Sequence, residues 1–198
     1  VMHGTKPRGA DPIWSAGFLP SVYQATALDP RGAKPIENLQ RPKELGEKQQ
    51  RSLLDVLKMA NAEHAGKRPF DRDLNARLES FELAYRMQTS APEAFDLAQE
   101  PQHVQEAYGL NRKESKDYGR QCLIARRLIE RGVRYVQVFA SVPSTPGGGV
   151  GDVPWDGHSD IRLNHSTCAS TVDQPTGALL ADLKQRGLFD DTIVIYGG

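Results

Sequence analysis

The middle of the chain shows apolar side chains at helical spacing within otherwise polar sequence. Leu53, Leu57 and Ala60 recur at spacings of four and three. This pattern predicts a helix from about Pro42 to His64. A second helix is predicted from about Asp71 to Gln88, and its apolar stripe, which we expect to be a docking face, consists of Leu74, Leu78, Phe81 and Tyr85.

A third helix is predicted between about Ser115 and Arg131. Its inward side chains should be Tyr118, Cys122, Ala125 and Ile129, with Leu128 beside them. Four arginines are interpreted as its solvated face, namely Arg120, Arg126, Arg127 and Arg131. The acidic stretch before it, Glu93 to Glu106, predicts a short helix and a connector.

The last third of the chain predicts alternating strands and helices. Val133–Phe139 and Thr192–Tyr196 are rich in β-branched and aromatic residues and predict two strands. Between them, Asp160–Cys168 is predicted to begin a helix that carries His165, and Asp173 is a suitable N-cap for a helix reaching about Arg186. A strand–loop–helix–strand unit indicates an α/β fold, and we expect the two strands to be parallel neighbours.

Composition narrows the possible classes of protein. The 198 residues carry 25 basic and 25 acidic side chains, so no net charge favours nucleic acid or an anionic membrane. No apolar run approaches the roughly 20 residues needed to cross a bilayer. The two cysteines, Cys122 and Cys168, form no spacing motif. Because the sequence stops on an apolar run, we expect it to be part of a longer protein.

The loop after the first predicted strand carries the candidate chemistry, Trp155-Asp156-Gly157-His158. Ligands of open α/β sheets lie beyond the carboxyl ends of strands. The Asp156 carboxylate and the His158 imidazole together suit zinc, whereas carboxylate oxygens alone suit calcium or magnesium. His158 could instead donate to an oxygen of a sulfate or phosphate. The structural alternative is that Asp156 caps a turn and His158 hydrogen-bonds it.

Several passages resemble a bacterial sulfatase-like family of unknown function, within the alkaline phosphatase and sulfatase superfamily. They are Gly17–Gln24, Phe81–Gln88, Gly119–Leu128, Trp155–His158 and the segment from Asp173 to Tyr196. The resemblance implies an incomplete alkaline-phosphatase-like domain over residues 1–198, a three-layer α/β/α sandwich with a mostly parallel sheet. Within it, residues 1–40 would be loop-rich, 41–131 mainly helical and 132–198 the strand–loop–helix–strand unit.

The resemblance also implies a function. It implies a metal-dependent hydrolase of sulfate or phosphate esters, acting on a small-molecule or glycan ester and exported to the periplasm or medium. Asp156 and His158 would hold a divalent metal, zinc or calcium, with His158 as ligand or oxyanion stabiliser and His165 as a supporting residue. No Cys or Ser is followed by x-Pro-x-Arg, so the sulfatase nucleophile is not in this chain.

Two consequences follow from that missing nucleophile. We expect the 198 residues alone to be inactive. The alternative function is a non-catalytic, exported binding or cell-surface module that keeps the fold, because a fold does not dictate an activity.

Overall fold

The fold is described from a computed structural model of the chain. The described residues are 2–3, 25–30, 36, 41, 44–66, 81–82, 85, 88, 93–140, 155 and 160–197. The chain divides into two compact units. Unit 1 comprises residues 1–6, 28–35 and 94–198, and unit 2 comprises residues 7–27 and 36–93.

The described part of the chain is mostly helical. Its helices are α1 (Glu47–Gly66), a 3-10 turn (Leu97–Gln99), α2 (Gln102–Ala107), α3 (Lys116–Glu130) and α4 (Ile161–Gln185). Two short strands, β1 (Met2–His3) and β2 (Val138–Phe139), pair in parallel with Met2 opposite Val138. The predicted α/β/α sandwich with a mostly parallel sheet is therefore wrong for this structure.

The first predicted strand forms only at its end, and the second does not form. Of Val133–Phe139, Val138 and Phe139 form a strand, and no strand is assigned to Thr192–Tyr196. Ile193 and Ile195 are 90% and 88% exposed. Strand propensity mainly measures how a side chain packs on a sheet, so it produces no strand where the backbone has no partner.

Helix α1 belongs to unit 2 and confirms the helix predicted there. The Gln50 amide donates to Gln88 Oε1 at 2.6 Å, and Arg51 lies 4.9 Å from the centroid of the Tyr85 ring. Leu53 and Leu57 remain 50% and 40% exposed. The half-buried face of α1 thus includes the polar side chains of Gln50 and Arg51 as well as Leu54. Most of the second predicted helix, including Leu74 and Leu78, lies outside the described residues.

Unit 1 is organised around α3, which packs along α4. Arg126 contacts Asp182, and one turn further along both helices Glu130 contacts Arg186. The two helices therefore run in the same direction. The predicted inward side chains of α3 are confirmed for three residues, since Tyr118, Cys122 and Ala125 are buried. The fully buried apolar core of this unit includes Leu123, Ile124, Cys168 and Leu183.

Helix α4 is one continuous helix of 25 residues. Its N-cap is Asp160, whose side chain accepts from the Leu163 amide at 2.9 Å. The prediction that Asp173 caps the main helix is wrong, because Asp173 lies in the interior of α4. Pro175 lacks an amide hydrogen and normally disrupts a helix interior. Its ring is fully buried, and packing of α4 against the rest of unit 1 offsets the lost hydrogen bond.

Two glycines allow the chain to turn from α2 into α3. Gly109 has φ +71°, a conformation that side chains with a Cβ rarely adopt. Its carbonyl accepts a 2.9 Å hydrogen bond from the buried Ser115 hydroxyl. A Cβ on Gly119 would lie 2.0 Å from the Tyr108 carbonyl oxygen. The close contact of α3 with the end of α2 therefore requires glycine at position 119.

None of the helices in the described ranges has the length and hydropathy needed to cross a membrane.

Candidate functional site

Trp155 directly precedes the predicted site of Asp156 and His158. It contacts His165, which lies in the N-terminal part of α4. His165 Nε2 lies 3.3 Å from the Trp155 carbonyl oxygen, and the two rings lie 6.3 Å apart between centroids. A carbonyl oxygen only accepts hydrogen bonds, so Nε2 must carry the hydrogen in this contact. His165 thereby fixes Trp155 to α4, while its Nδ1 is left as the acceptor atom of the ring.

The two predicted metal ligands, Asp156 and His158, lie outside the described residues. They belong to the four-residue stretch between Trp155 and Asp160, and both of these flanking residues are placed. Trp155 is held through His165, and Asp160 caps α4. The two residues that flank the candidate ligands, Trp155 and Asp160, therefore both contact the N-terminal part of α4.

No group of three or more His, Cys, Asp and Glu side chains suited to a metal occurs among the described residues. Asp156 and His158 are not among those residues. The donor chemistry of the stretch fits a divalent ion, because a carboxylate and an imidazole are both zinc ligands and a carboxylate also suits calcium. The Nε2 atom of His165 contacts the Trp155 carbonyl, and the supporting role predicted for His165 stays a prediction.

The most distinctive side-chain cluster of the structure surrounds Arg126, which is 1% exposed. Its guanidinium lies 2.7 Å from Glu100, 2.7 Å from Glu130 and 3.0 Å from Asp182. The neighbouring Arg127 is also buried and pairs with Glu100. The interpretation of Arg126 and Arg127 as part of a solvated face is therefore wrong. Burial is tolerated because each guanidinium has carboxylate partners.

Two further side chains complete this Arg126 cluster. Arg186 lies 2.6 Å from Glu130 and 2.6 Å from Asp182. The Tyr108 hydroxyl donates to Asp182 at 2.9 Å. Three arginines thus face three carboxylates, and the formal charges cancel. The cluster joins the 3-10 turn, α3 and α4.

Burial and pairing shift the titration of this cluster in opposite directions. Burial alone would raise the pKa of Glu100, but its interactions with Arg126 and Arg127 outweigh that effect and hold the pKa below its usual value. Burial, reinforced by the neighbouring Asp182, raises the pKa of Tyr108 well above its usual value. Tyr108 therefore stays neutral and donates its hydroxyl hydrogen. All of these groups are committed to one another, which is typical of a structural cluster rather than a catalytic one.

Neither cysteine is suited to be a nucleophile. Neither forms a disulfide among the described residues, and both are buried. Burial raises the pKa of the Cys122 thiol to about 12, and burial also raises the pKa of Cys168. The thiolate is the reactive form, so both side chains act as small apolar groups of the core.

The helical periodicity of the sequence did not predict the Arg126 cluster. Its partners Glu100 and Asp182 are far from Arg126 in the sequence, and nothing local connects them. One signal was present: Arg126 follows directly after Ala125 and lies one turn past Cys122, next to the predicted buried stripe. An arginine beside such a stripe must either snorkel to water or find buried carboxylates.

Comparison with known proteins supports one assignment. The whole chain, residues 1–198, matches the family described as protein of unknown function (DUF1501). The protein belongs to this family. No curated protein and no solved structure matches the chain.

Proposed function

We propose that the protein is a metal-dependent hydrolase of sulfate or phosphate esters, with Asp156 and His158 as metal ligands. The observation that supports this proposal most is the contact of His165 with the Trp155 carbonyl. It ties the residue directly before Asp156 to α4, so the candidate ligands start from a fixed point. Metal ligands require such support, because an unsupported ligand set binds weakly.

Each residue has a distinct role in this proposal. The Asp156 carboxylate holds the metal, and the His158 imidazole either joins it or donates to an anionic oxygen of the ester. His165 is a positioning residue that acts through the Trp155 carbonyl. A bound divalent metal would polarise the ester oxygen and activate the attacking oxygen nucleophile. The passages of this chain that resemble the sulfatases do not contain the sulfatase nucleophile.

The proposal rests on these residues and on the sequence passages that resemble sulfatase-like proteins. It does not rest on the fold class, which is mostly helical in the described residues. The resemblance also supports export and a small-molecule or glycan ester as substrate. The non-catalytic binding module remains the alternative, and the following experiment separates the two.

The test compares Asp156→Ala with Asp173→Ala in ester hydrolysis. Both variants remove one aspartate, but Asp173 is exposed in the interior of α4 and belongs to no candidate site. The chain and any longer natural form of it are loaded with zinc or calcium and assayed with an aryl sulfate and an aryl phosphate. We expect Asp156→Ala to lower turnover by at least about tenfold.

The control variant should leave turnover unchanged. If Asp156→Ala and Asp173→Ala behave alike, Asp156 has no role in catalysis. If no form hydrolyses either ester, the hydrolase proposal fails and the binding module is favoured.

A further inference from the structure

The two ring nitrogens of His165 have different surroundings. Nε2 lies 3.3 Å from the Trp155 carbonyl oxygen, which only accepts hydrogen bonds, so Nε2 carries the ring hydrogen in this contact. Nδ1 is therefore the nitrogen with the available lone pair. Within the described part of the chain Nδ1 has no hydrogen-bond partner, and the His165 side chain is exposed.

This arrangement is typical of a histidine that binds a metal. Such a histidine almost always donates the N–H of its other nitrogen to a carboxylate, a backbone carbonyl or a water, which fixes the tautomer and the orientation of the ring. In His165 the backbone carbonyl of Trp155 is that acceptor. The Trp155 ring, 6.3 Å away between centroids, restrains the imidazole further. The ring is thus oriented with its ligand nitrogen exposed.

We propose that His165 is a third metal ligand, through Nδ1, beside Asp156 and His158. The inference rests on the metal site of the proposed function and adds to it a ligand from α4. The Trp155 carbonyl belongs to the peptide group that ends at the Asp156 nitrogen. One hydrogen bond and one peptide group therefore separate the His165 ring from the start of Asp156. His165 keeps its positioning role through Nε2 and binds through Nδ1.

A ligand set of two imidazoles and one carboxylate selects zinc. Catalytic zinc sites have three protein ligands, and two histidines with one carboxylate are an established combination that leaves a fourth position for water or substrate. Calcium instead takes six to eight oxygen ligands and gains little from imidazole nitrogen. With His165 as a ligand, the choice between zinc and calcium is decided in favour of zinc.

Two substitutions separate binding through Nδ1 from positioning through Nε2. His165→Gln places an amide nitrogen close to the position of Nε2, so it can still donate to the Trp155 carbonyl, but it has no imidazole lone pair. His165→Ala removes both functions. Zinc and calcium affinities of the chain and of both variants are measured by competition with a chelating dye. His103→Gln is the matched control, because His103 is an exposed histidine of α2.

We expect zinc affinity to fall by at least about tenfold in both His165→Gln and His165→Ala. Calcium affinity should change by less than about twofold, because calcium does not use the imidazole. His103→Gln should bind zinc as the original chain does. A histidine that only positions Trp155 would keep zinc affinity in the Gln variant and lose it in the Ala variant. That result overturns the proposal, and so does unchanged zinc affinity in both variants.

Cobalt(II) gives a second, direct readout, because imidazole and carboxylate ligands bind it as they bind zinc. In the cobalt-loaded chain, proton NMR should show one strongly shifted, solvent-exchangeable ring N–H for each coordinated histidine. One such signal should disappear in His165→Gln and the other in His158→Ala. If His165→Gln retains both signals, His165 is not a ligand.

These measurements do not depend on ester hydrolysis. A chain that loses zinc affinity in His165→Gln but hydrolyses neither ester keeps this inference and refutes the hydrolase alone. A chain in which His158→Ala weakens zinc binding and His165→Gln does not keeps the metal site and overturns the role of His165. A chain that binds no zinc overturns the site and this inference together.

Discussion

The Arg126 cluster and the stretch from Trp155 to His165 use polar side chains in opposite ways. In the cluster, three arginines and three carboxylates are paired at distances that include 2.6, 2.7 and 3.0 Å. In the stretch from Trp155 to His165, the exposed His165 contacts the Trp155 carbonyl through Nε2 at 3.3 Å. Its other ring nitrogen, Nδ1, does not take part in this contact. Both regions contain groups that can titrate or bind metal.

This difference distinguishes side chains that maintain the fold from side chains that could bind a ligand. Buried charges that are paired with one another are shielded from ligands, and removing one of them destabilises the fold. Side chains that are exposed and supported from one side contribute little to stability but are available to a ligand. The two regions should therefore respond to substitution in different measurements.

The largest effect should come from Arg126→Met. The substitution keeps much of the apolar side chain but leaves Glu100, Glu130 and Asp182 without their shared cation. Breaking a buried ion pair from one side costs about 3–5 kcal/mol. We expect a loss of that size in the free energy of unfolding, measured by urea denaturation.

The matched control is Arg162→Met, which removes an exposed arginine from the first turn of α4. It should change the free energy of unfolding by no more than about 0.5 kcal/mol. Equal losses in the two variants would remove the distinction between the buried cluster and the exposed end of α4.

A smaller loss in the free energy of unfolding is expected from Gly119→Ala. This variant tests the packing beside the Arg126 cluster without changing any charge. A Cβ at this position would lie 2.0 Å from the Tyr108 carbonyl oxygen, and that atom belongs to the backbone. Overpacking of this kind costs about 1–3 kcal/mol. Tyr108 is itself part of the cluster, so α3 cannot move away from it freely.

Gly177→Ala is the control for helix propensity. A Cβ on Gly177 would meet no atom within 4 Å. Alanine is the better helix former by about 1 kcal/mol, so this variant should be slightly more stable in thermal unfolding. If both alanine variants are stabilised, the tight contact at Gly119 is not a constraint on the fold.

Sequence reasoning located the helices well where an apolar stripe faced a partner. The stripe containing Tyr118 and Cys122 gave α3 almost to its ends, since the predicted range Ser115–Arg131 exceeds the observed Lys116–Glu130 by one residue at each end. The break predicted near Asp173 was wrong because aspartate and proline occur together at helix starts as well as inside this helix. Local signals do not distinguish the two cases.

Contacts between distant parts of the sequence could not be predicted in this way. The pairing of Arg126 with Glu100 and Asp182 depends on how α3, α4 and the 3-10 turn pack, and so does the burial of Arg127. The run Ile193–Tyr196 has the composition of a strand but pairs with no other strand among the described residues. For the candidate site, the sequence supplied Asp156, His158 and His165, and the structure added that His165 holds Trp155.

Metal affinity of His158→Ala tests the proposed site most directly. Zinc and calcium binding to the chain is measured by isothermal titration calorimetry, with His103→Ala as the matched control because His103 is an exposed histidine of α2. Loss of His158 should weaken binding of one of the two metals by at least about tenfold, about 1.4 kcal/mol, while urea denaturation stays unchanged. His103→Ala should bind as the original chain does. Equal affinity in all three proteins would contradict His158 as a metal ligand.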